Sequence, residues 1–153
     1  MDKIKKKNRY QRIYKQLQTL IEPHNNPIAA MATINAILYH KFDYYFWMGF
    51  YLLQDGDLIV GPYQGPIACI KLKKDIGVCW AGINQQKTII VPDVHDFPGH
   101  IACDSRSNSE IVVPLKDRSD KIVGVLDVDS KDLKSFDEAD KEGLELILEL
   151  IYK

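Results

Sequence analysis

The chain has 153 residues, of which 46% are hydrophobic and 27% are charged. This length is enough for one domain with a sizeable core, and the composition is that of a folded protein rather than a disordered segment. The formal net charge of −1 gives no reason to expect a nucleic acid or an anionic membrane as a partner. The sequence lacks the apolar core of a signal peptide and any apolar stretch long enough to span a bilayer. We therefore expect one cytoplasmic domain over residues 1–153.

Two helices are predicted at the start of the chain. The basic run at residues 3–9 is expected to be a solvated approach to the first helix, whose apolar side chains recur at helical spacing from Tyr10 to Ile21. Asn26 and Pro27 make a favourable N-cap and first-turn pair. They predict a second helix that runs to about His40.

The sequence then changes from helical spacing to the aromatic-rich pattern of strands. Phe42–Leu53 is expected as one long strand, and a turn at residues 54–57 returns the chain into a second strand over residues 58–63. Shorter strands are predicted at residues 68–72 and 88–91, on either side of a helix over residues 77–86.

A long loop, a hairpin and a final helix are predicted for the rest of the chain. Pro92–Asn108 shows no hydrophobic period, and long loops in compact domains are usually functional. Residues 110–115 and 121–129 are expected to form the hairpin, and Ser135 with Glu138 predicts a capping box for the final helix. This order indicates an α+β fold with a mainly antiparallel central sheet flanked by helices. The N- and C-terminal helices are expected to pack on one face of that sheet.

Cys103 is the first candidate for a chemically active side chain. It lies among small and polar residues of the long loop, where Arg106, His100 or His95 could lower its pKa and favour the thiolate. From these residues alone, a reactive thiol and an inert one remain open.

The chain contains two further cysteines, Cys69 and Cys79. The apolar neighbours of Cys69 favour a core position in a strand, whereas Cys79 lies near a predicted helix N-terminus, where the helix dipole favours a thiolate. An odd number of cysteines in a cytoplasmic protein argues against a static disulfide framework. No Cys-x-x-Cys spacing is present, and we expect no metal site.

Three carboxylates are predicted to meet at one end of the sheet. Strand alternation places Asp127 and Asp129 on one face, and Glu110 begins the neighbouring strand of the hairpin. Buried acids are costly unless they are solvated, hydrogen-bonded or bound to a cation. The group would suit a ligand ammonium, and one acid held protonated by its neighbours could serve as a general acid. The alternative is that the two aspartates end the strand in a solvated turn.

Trp47 and Tyr51 lie four residues apart in a predicted strand and so share a face. Core packing is one interpretation. The other is an aromatic wall that holds a methyl or thioether group.

Taken together, these segments resemble the free methionine-(R)-sulfoxide reductases, which are built on a GAF domain. The segments that carry the resemblance are Trp47–Tyr51, Gly61–Cys69, Gly77–Cys79, Val91–His95, Phe97–Asp104, Ser109–Pro114 and Gly124–Ser130.

The resemblance implies a thiol mechanism. Cys103 would attack the sulfur of free methionine sulfoxide and become a sulfenic acid. Cys69 would be the first choice for the resolving thiol that forms a disulfide with it, and Cys79 the second. A thioredoxin-like reductant, supplied ultimately by NADPH, would restore the thiols, and no bound cofactor would be needed.

The resemblance also implies the substrate site. Glu110, Asp127 and Asp129 would bind the ammonium group and supply the proton for the sulfoxide oxygen, and Trp47 and Tyr51 would enclose the methyl end. A homodimer is plausible through the N-terminal helix and exposed faces. The alternative function is a non-catalytic GAF-type module that senses a small molecule or redox state.

Overall fold

The computed structural model of the protein describes residues 1–100 and 103–153. Within them, the chain forms four α-helices, six β-strands and one short 3-10 helix at Val94–Asp96. The α-helices are α1 (Lys3–Ile21), α2 (Pro27–Lys41), α3 (Val78–Gln85) and α4 (Glu138–Leu148). The strands are β1 (Trp47–Gln54), β2 (Asp57–Gln64), β3 (Lys71–Leu72), β4 (Ile89–Val91), β5 (Ser109–Lys116) and β6 (Ile122–Ser130).

The six strands form one sheet in the order β3-β2-β1-β6-β5-β4, and each neighbouring pair is antiparallel. Helices α1, α2 and α4 pack on one face and α3 packs on the other. The predicted α+β fold is therefore confirmed, as is the packing of the N- and C-terminal helices on one face. Among the described residues, we find no helix with the length and apolar character needed to cross a membrane.

The alternation of side chains in the central strands explains the two faces. In β1, Met48 and Phe50 join the core beneath α1, α2 and α4, whereas Trp47 and Tyr51 point to the α3 side. In β6, Leu126 and Val128 belong to the first core, so the alternate positions of that strand face α3. Burial of these apolar side chains stabilises both layers.

The first strand begins later than the aromatic pattern predicts. Residues 42–46 precede β1, and three of their aromatic rings form a cluster with a residue of α1. Tyr10 stacks on Phe42 at 4.5 Å between ring centroids, and Phe42 stacks on Tyr45 at 4.9 Å. Aromatic residues favour strands because they fit a half-buried surface, and a helix-backed cluster offers the same burial.

The basic run at the N-terminus is helical, and one of its lysines is buried. Helix α1 begins at Lys3 behind the N-cap Asp2, so the run lies within the helix rather than before it, whereas Lys3, Lys5 and Lys7 are exposed as expected. Lys6 is 4% exposed, and its ammonium donates to Asp140 Oδ2 at 2.6 Å. A charged side chain tolerates burial when an opposite charge is hydrogen-bonded to it, and the spacing along the chain does not reveal a partner in α4.

The final helix has a capping box at a different position from the predicted one. Asp137 is the N-cap, its side chain accepts from Ala139 N and Asp140 N, and the Asp140 side chain accepts from Asp137 N in return. The Ser135 hydroxyl instead donates to Ser130 Oγ at 2.7 Å. The predicted Ser135–Glu138 box is therefore wrong because that hydroxyl is engaged within the loop.

Candidate functional site

A pocket of about 230 Å³ opens on the α3 side of the sheet. Strands β1, β5 and β6 form its floor and the start of α3 forms one wall. Its mouth is formed by residues 67–73, His100 and residues 103–107. The residues that the sequence singles out all line it: Trp47, Tyr51, Cys69, Cys79, Cys103, Glu110, Asp127 and Asp129.

The antiparallel register of β5 and β6 brings the three predicted carboxylates together. Glu110 is paired with Asp129, and Asp127 lies two residues along the same strand. Glu110 is 5% exposed and Asp127 is 7% exposed, so the alternative of a solvated turn does not hold for Asp127. Among the described residues, Asp127 Oδ1 is buried without a hydrogen-bond partner.

Burial raises the pKa of all three acids, and repulsion from neighbouring carboxylates adds to this effect for Glu110 and Asp129. For Glu110, burial raises the pKa most, followed by the charges of Asp127 and Asp129. Burial also raises the pKa of Asp127, and for Asp129 the charge of Asp127 adds to the effect of burial. Close carboxylates of this kind hold a proton between them or accept a cation.

A disulfide joins Cys69 to Cys103 at the mouth of this pocket, with a Cα–Cα distance of 5.7 Å. Cys103 is exposed and Cys69 is half-buried. The expectation that Cys69 is a core residue of a strand is wrong, because strand β3 is limited to Lys71–Leu72 and Cys69 precedes it in a loop.

Cys79 is the one cysteine outside the disulfide, and it is buried in the first turn of α3. Burial raises the pKa of its thiol, and the charges of Asp127 and Glu110 raise it further. The helix dipole was expected to favour a thiolate here, and these nearby acids oppose it. The Cys79 Sγ and one carboxylate oxygen from each of Glu110 and Asp127 all lie within 4.8 Å of one another.

The basic residues proposed to activate Cys103 have other partners. Arg106 makes a two-point contact with Asp104, through Nε at 2.9 Å and Nη2 at 2.6 Å, and lies over the ring of Phe46. This guanidinium lowers the pKa of Asp104 to about 2. The exposed ring of His95 lies against Asp93, with Nδ1 and Oδ1 2.8 Å apart.

His100 is the basic residue that lies at the acids. Its Nδ1 is 4.0 Å from Glu110 Oε2, and its side chain lines the pocket. Burial lowers the pKa of the imidazole, and the charge of His95 adds to the effect, so both disfavour the charged form of His100. The sequence reasoning named His100 only as a neighbour of Cys103 and missed its approach to Glu110.

Trp47 and Tyr51 form an aromatic wall and also hold the loop that carries Cys69. Their rings stack with centroids 5.9 Å apart. Trp47 Nε1 donates to the Pro66 carbonyl at 3.0 Å, and Tyr51 Oη donates to the Cys69 carbonyl at 3.1 Å. The loop contacts were not predicted, although buried indole and phenol groups usually find hydrogen-bond partners.

Comparison with known proteins identifies a domain family and several similar proteins. Residues 40–151 match the GAF domain family. GAF domain-containing protein A of Dictyostelium discoideum is 47% identical over 152 residues, which cover 99% of this chain and 95% of that protein. A free methionine-R-sulfoxide reductase of Escherichia coli (strain K12) is 38% identical over 144 residues, which cover 94% of this chain and 87% of that protein.

A solved structure extends the similarity to three dimensions. The free methionine-R-sulfoxide reductase from Neisseria meningitidis, in complex with its substrate, has a TM-score of 0.87 and 37% sequence identity. The match covers 93% of this chain and 85% of that chain. The resemblance to the free methionine-(R)-sulfoxide reductases is confirmed, and the chain belongs to the GAF domain family.

Proposed function

We propose that this protein is an oxidoreductase that reduces free methionine-(R)-sulfoxide to methionine, with Cys103 as nucleophile and Cys69 as resolving thiol. The observation that carries the proposal is one pocket that joins the Cys69–Cys103 disulfide to three carboxylates with raised pKa values. The first group can exchange two electrons, and the second can bind an ammonium and release a proton.

The chemistry starts from the reduced protein. The Cys103 thiolate attacks the sulfoxide sulfur, the oxygen takes up one proton, and methionine leaves as Cys103 becomes a sulfenic acid. The Cys69 thiol then attacks the Cys103 sulfur, a disulfide forms, and the hydroxyl leaves as water. A dithiol reductant reopens the disulfide by thiol exchange.

The carboxylates select the free amino acid in this proposal. A methionine sulfoxide in the interior of a peptide has no α-ammonium group, so it cannot make the charge-assisted contact that Glu110, Asp127 and Asp129 offer. An acid of this group that is held protonated by burial supplies the proton for the sulfoxide oxygen. The raised pKa of Glu110 supports this role for that residue.

The shape of the pocket selects the R epimer. The sulfur must face Cys103 and its oxygen must face an acid, while Trp47 and Tyr51 enclose the methyl group. The S epimer would place its methyl group against the acid and lose the hydrogen bond to the oxygen.

Cys79 is the second choice for a resolving thiol in this proposal. Its burial and the raised pKa of its thiol support Cys69 as the first choice. A thioredoxin-like reductant, fed by NADPH, fits the exposure of Cys103 at the pocket mouth. A cytoplasmic location, where thiols are kept reduced, fits the same cycle. The absence of a bound cofactor and a homodimeric state stay predictions.

The test is methionine release by the reduced protein from free methionine-(R)-sulfoxide, with dithiothreitol present and the S epimer as control. We expect release from the R epimer alone and its loss in Cys103→Ser, because serine cannot accept the oxygen. Retained activity in this variant would move the nucleophile to another cysteine. If the folded protein releases methionine from neither epimer, the reductase assignment is wrong and a sensing module is favoured.

A further inference from the structure

The floor of the pocket brings one thiol and two carboxylates together. Cys79 is outside the disulfide, and its Sγ lies within 4.8 Å of carboxylate oxygens of Glu110 and Asp127. These residues come from α3, β5 and β6. Their separation along the chain explains why ligand spacing in the sequence gives no sign of them.

The donor types suit a thiophilic divalent cation. Zn²⁺ takes cysteine and carboxylate ligands at about 2.0–2.3 Å in tetrahedral sites. Neighbouring donors around such an ion lie about 3.4–3.6 Å apart. The observed limit of 4.8 Å therefore needs a contraction of about 1 Å, which rotation of side chains can provide.

A second observation indicates a missing partner at this place. Asp127 is 7% exposed and lines the pocket, and its Oδ1 has no hydrogen-bond partner among the described residues. A buried carboxylate oxygen without a partner is costly, and a cation removes that cost. The side chain of His100, which also lines the pocket, is 15% exposed. Its Nε2 likewise has no hydrogen-bond partner among the described residues.

We propose that Cys79, Glu110 and Asp127 form a binding site for a thiophilic divalent cation of the Zn²⁺ type. On binding, the Cys79 thiol and the protonated acid of the pair lose their protons to solvent, and the thiolate and two carboxylates coordinate the ion without any change of oxidation state. Water or the imidazole of His100 completes four-fold coordination.

The bound ion changes what else the pocket can hold. It occupies the carboxylates that an ammonium group would contact, so the cation and a free amino acid exclude each other. Only this competition rests on the proposed function, because the metal site itself depends on the donor geometry alone. Free Zn²⁺ would then inhibit the reductase competitively with its substrate.

The experiment uses the oxidised protein, in which the disulfide removes two of the three thiols. Cd²⁺ is added, and the ultraviolet absorption of a cadmium–thiolate bond is followed. Any such absorption must come from Cys79. We expect it to appear, to saturate at one ion per chain, and to disappear with a chelator.

Calorimetric titration of Zn²⁺ into two variants tests the assignment. Cys79→Ser should weaken binding by about tenfold or more, because a metal ligand is lost. His95→Asn, which removes the exposed imidazole beside Asp93, should leave binding unchanged.

Three results would overturn the site: no thiolate absorption in oxidised wild-type protein, unchanged binding in Cys79→Ser, or loss of binding in His95→Asn. The first uses wild-type protein, so it stands even if the serine variant fails to fold. Cation binding by a protein without reductase activity would leave this site intact and remove the proposed function. Reductase activity without thiolate absorption would support the proposed function and rule out the cation site.

Discussion

At the scale of single residues, the buried acids that are proposed to bind the ligand also lower the stability of the fold. Glu110 and Asp127 are nearly inaccessible to solvent and lie close to each other and to Cys79. Each buried charge costs free energy in the protein without ligand, and the raised pKa values express that cost. A ligand ammonium or a metal cation would offset part of this free-energy cost, so the buried carboxylates favour the binding of a cation.

Glu110→Gln tests this opposition. Glutamine keeps the size of the side chain and removes an acid whose raised pKa costs stability at pH 7, so we expect the free energy of unfolding at pH 7 to rise by about 1 kcal/mol. We also expect KM for free methionine-(R)-sulfoxide to rise, because the group that contacts the ammonium loses one of its three carboxyl groups. Urea unfolding and steady-state kinetics measure the two effects.

The matched control for this variant is Glu142→Gln, on the exposed surface of α4. It removes the same charge outside the pocket and should change neither quantity. If Glu110→Gln lowers stability as well as activity, the carboxylate has a structural partner, and the opposition between function and stability is wrong.

The hydroxyl of Tyr51 is expected to position the resolving cysteine through the carbonyl of Cys69. Tyr51→Phe keeps the aromatic wall and removes this hydrogen bond, which contributes about 1 kcal/mol. We expect closure of the Cys69–Cys103 disulfide after one turnover to slow by about fivefold. Rapid quenching with a thiol-alkylating reagent measures the rate.

Tyr63→Phe is the control for this effect. Tyr63 stacks on Trp47 at 5.4 Å in the same group of rings, and its hydroxyl makes no hydrogen bond within residues 1–100 and 103–153. Closure should keep its wild-type rate in this variant. Equal rates in the two variants would show that the Tyr51 hydroxyl does not position the loop.

At the scale of elements, the sequence predicts features that follow from local strand alternation and does not predict those that depend on long-range contacts. Strand alternation places Asp127 and Asp129 on one face, and the hairpin brings Glu110 beside them, so the acidic group is predictable. The conformation of the loop at Cys69 is not predictable in this way. Ile67 and Ile70 suggest a buried strand, yet they are 88% and 73% exposed, because the disulfide and the Tyr51 hydrogen bond hold this segment outside β3.

The contact between α1 and α4 is hidden from the sequence for a similar reason. Lys6 and Asp140 are each ordinary surface residues by local pattern, and they lie 134 residues apart. Together with hydroxyl groups from Tyr10 and Tyr44, which both donate to Asp140 Oδ1, they form a buried network. No period along the chain predicts a partner so distant, since only the tertiary fold brings it near.

This network predicts loss of stability in alkali. Burial and nearby charges raise the pKa of Tyr10, Tyr44 and Tyr45 in the folded protein. The unfolded chain releases these protons near pH 10, whereas the folded protein retains them. Their contribution to stability is therefore complete below about pH 10 and is lost as the pH rises through and above that value.

Tyr44→Phe isolates one of the three protons. Above about pH 10, each tyrosine that ionises only in the unfolded chain contributes a slope of about 1.4 kcal/mol per pH unit. We expect the wild-type free energy of unfolding to fall more steeply than that of the variant by this amount. Urea unfolding between pH 8 and pH 11 (roughly the range in which the slope develops) measures it. Parallel curves would contradict the raised pKa of Tyr44.

At the scale of the whole molecule, the disulfide links the redox state to the stability of the fold. Cys69 and Cys103 are 34 residues apart, and the chain between them contains β3, α3 and β4. Closing this loop restricts the unfolded chain by about 4 kcal/mol in the loop-entropy description. The reaction cycle would then alternate between a more stable oxidised form and a less stable reduced form.

Urea unfolding of the oxidised and reduced protein tests this coupling. We expect the oxidised form to be more stable by about 2–4 kcal/mol. Cys103→Ser cannot form the bond, so dithiothreitol should change the wild-type midpoint and leave the variant unaffected. If oxidised and reduced wild-type protein unfold at the same urea concentration, closing the disulfide must cost the folded state as much free energy as it costs the unfolded chain. The full expected difference would instead indicate a preorganised reduced site, in which Cys69 resolves the sulfenic acid without any rearrangement of the loop.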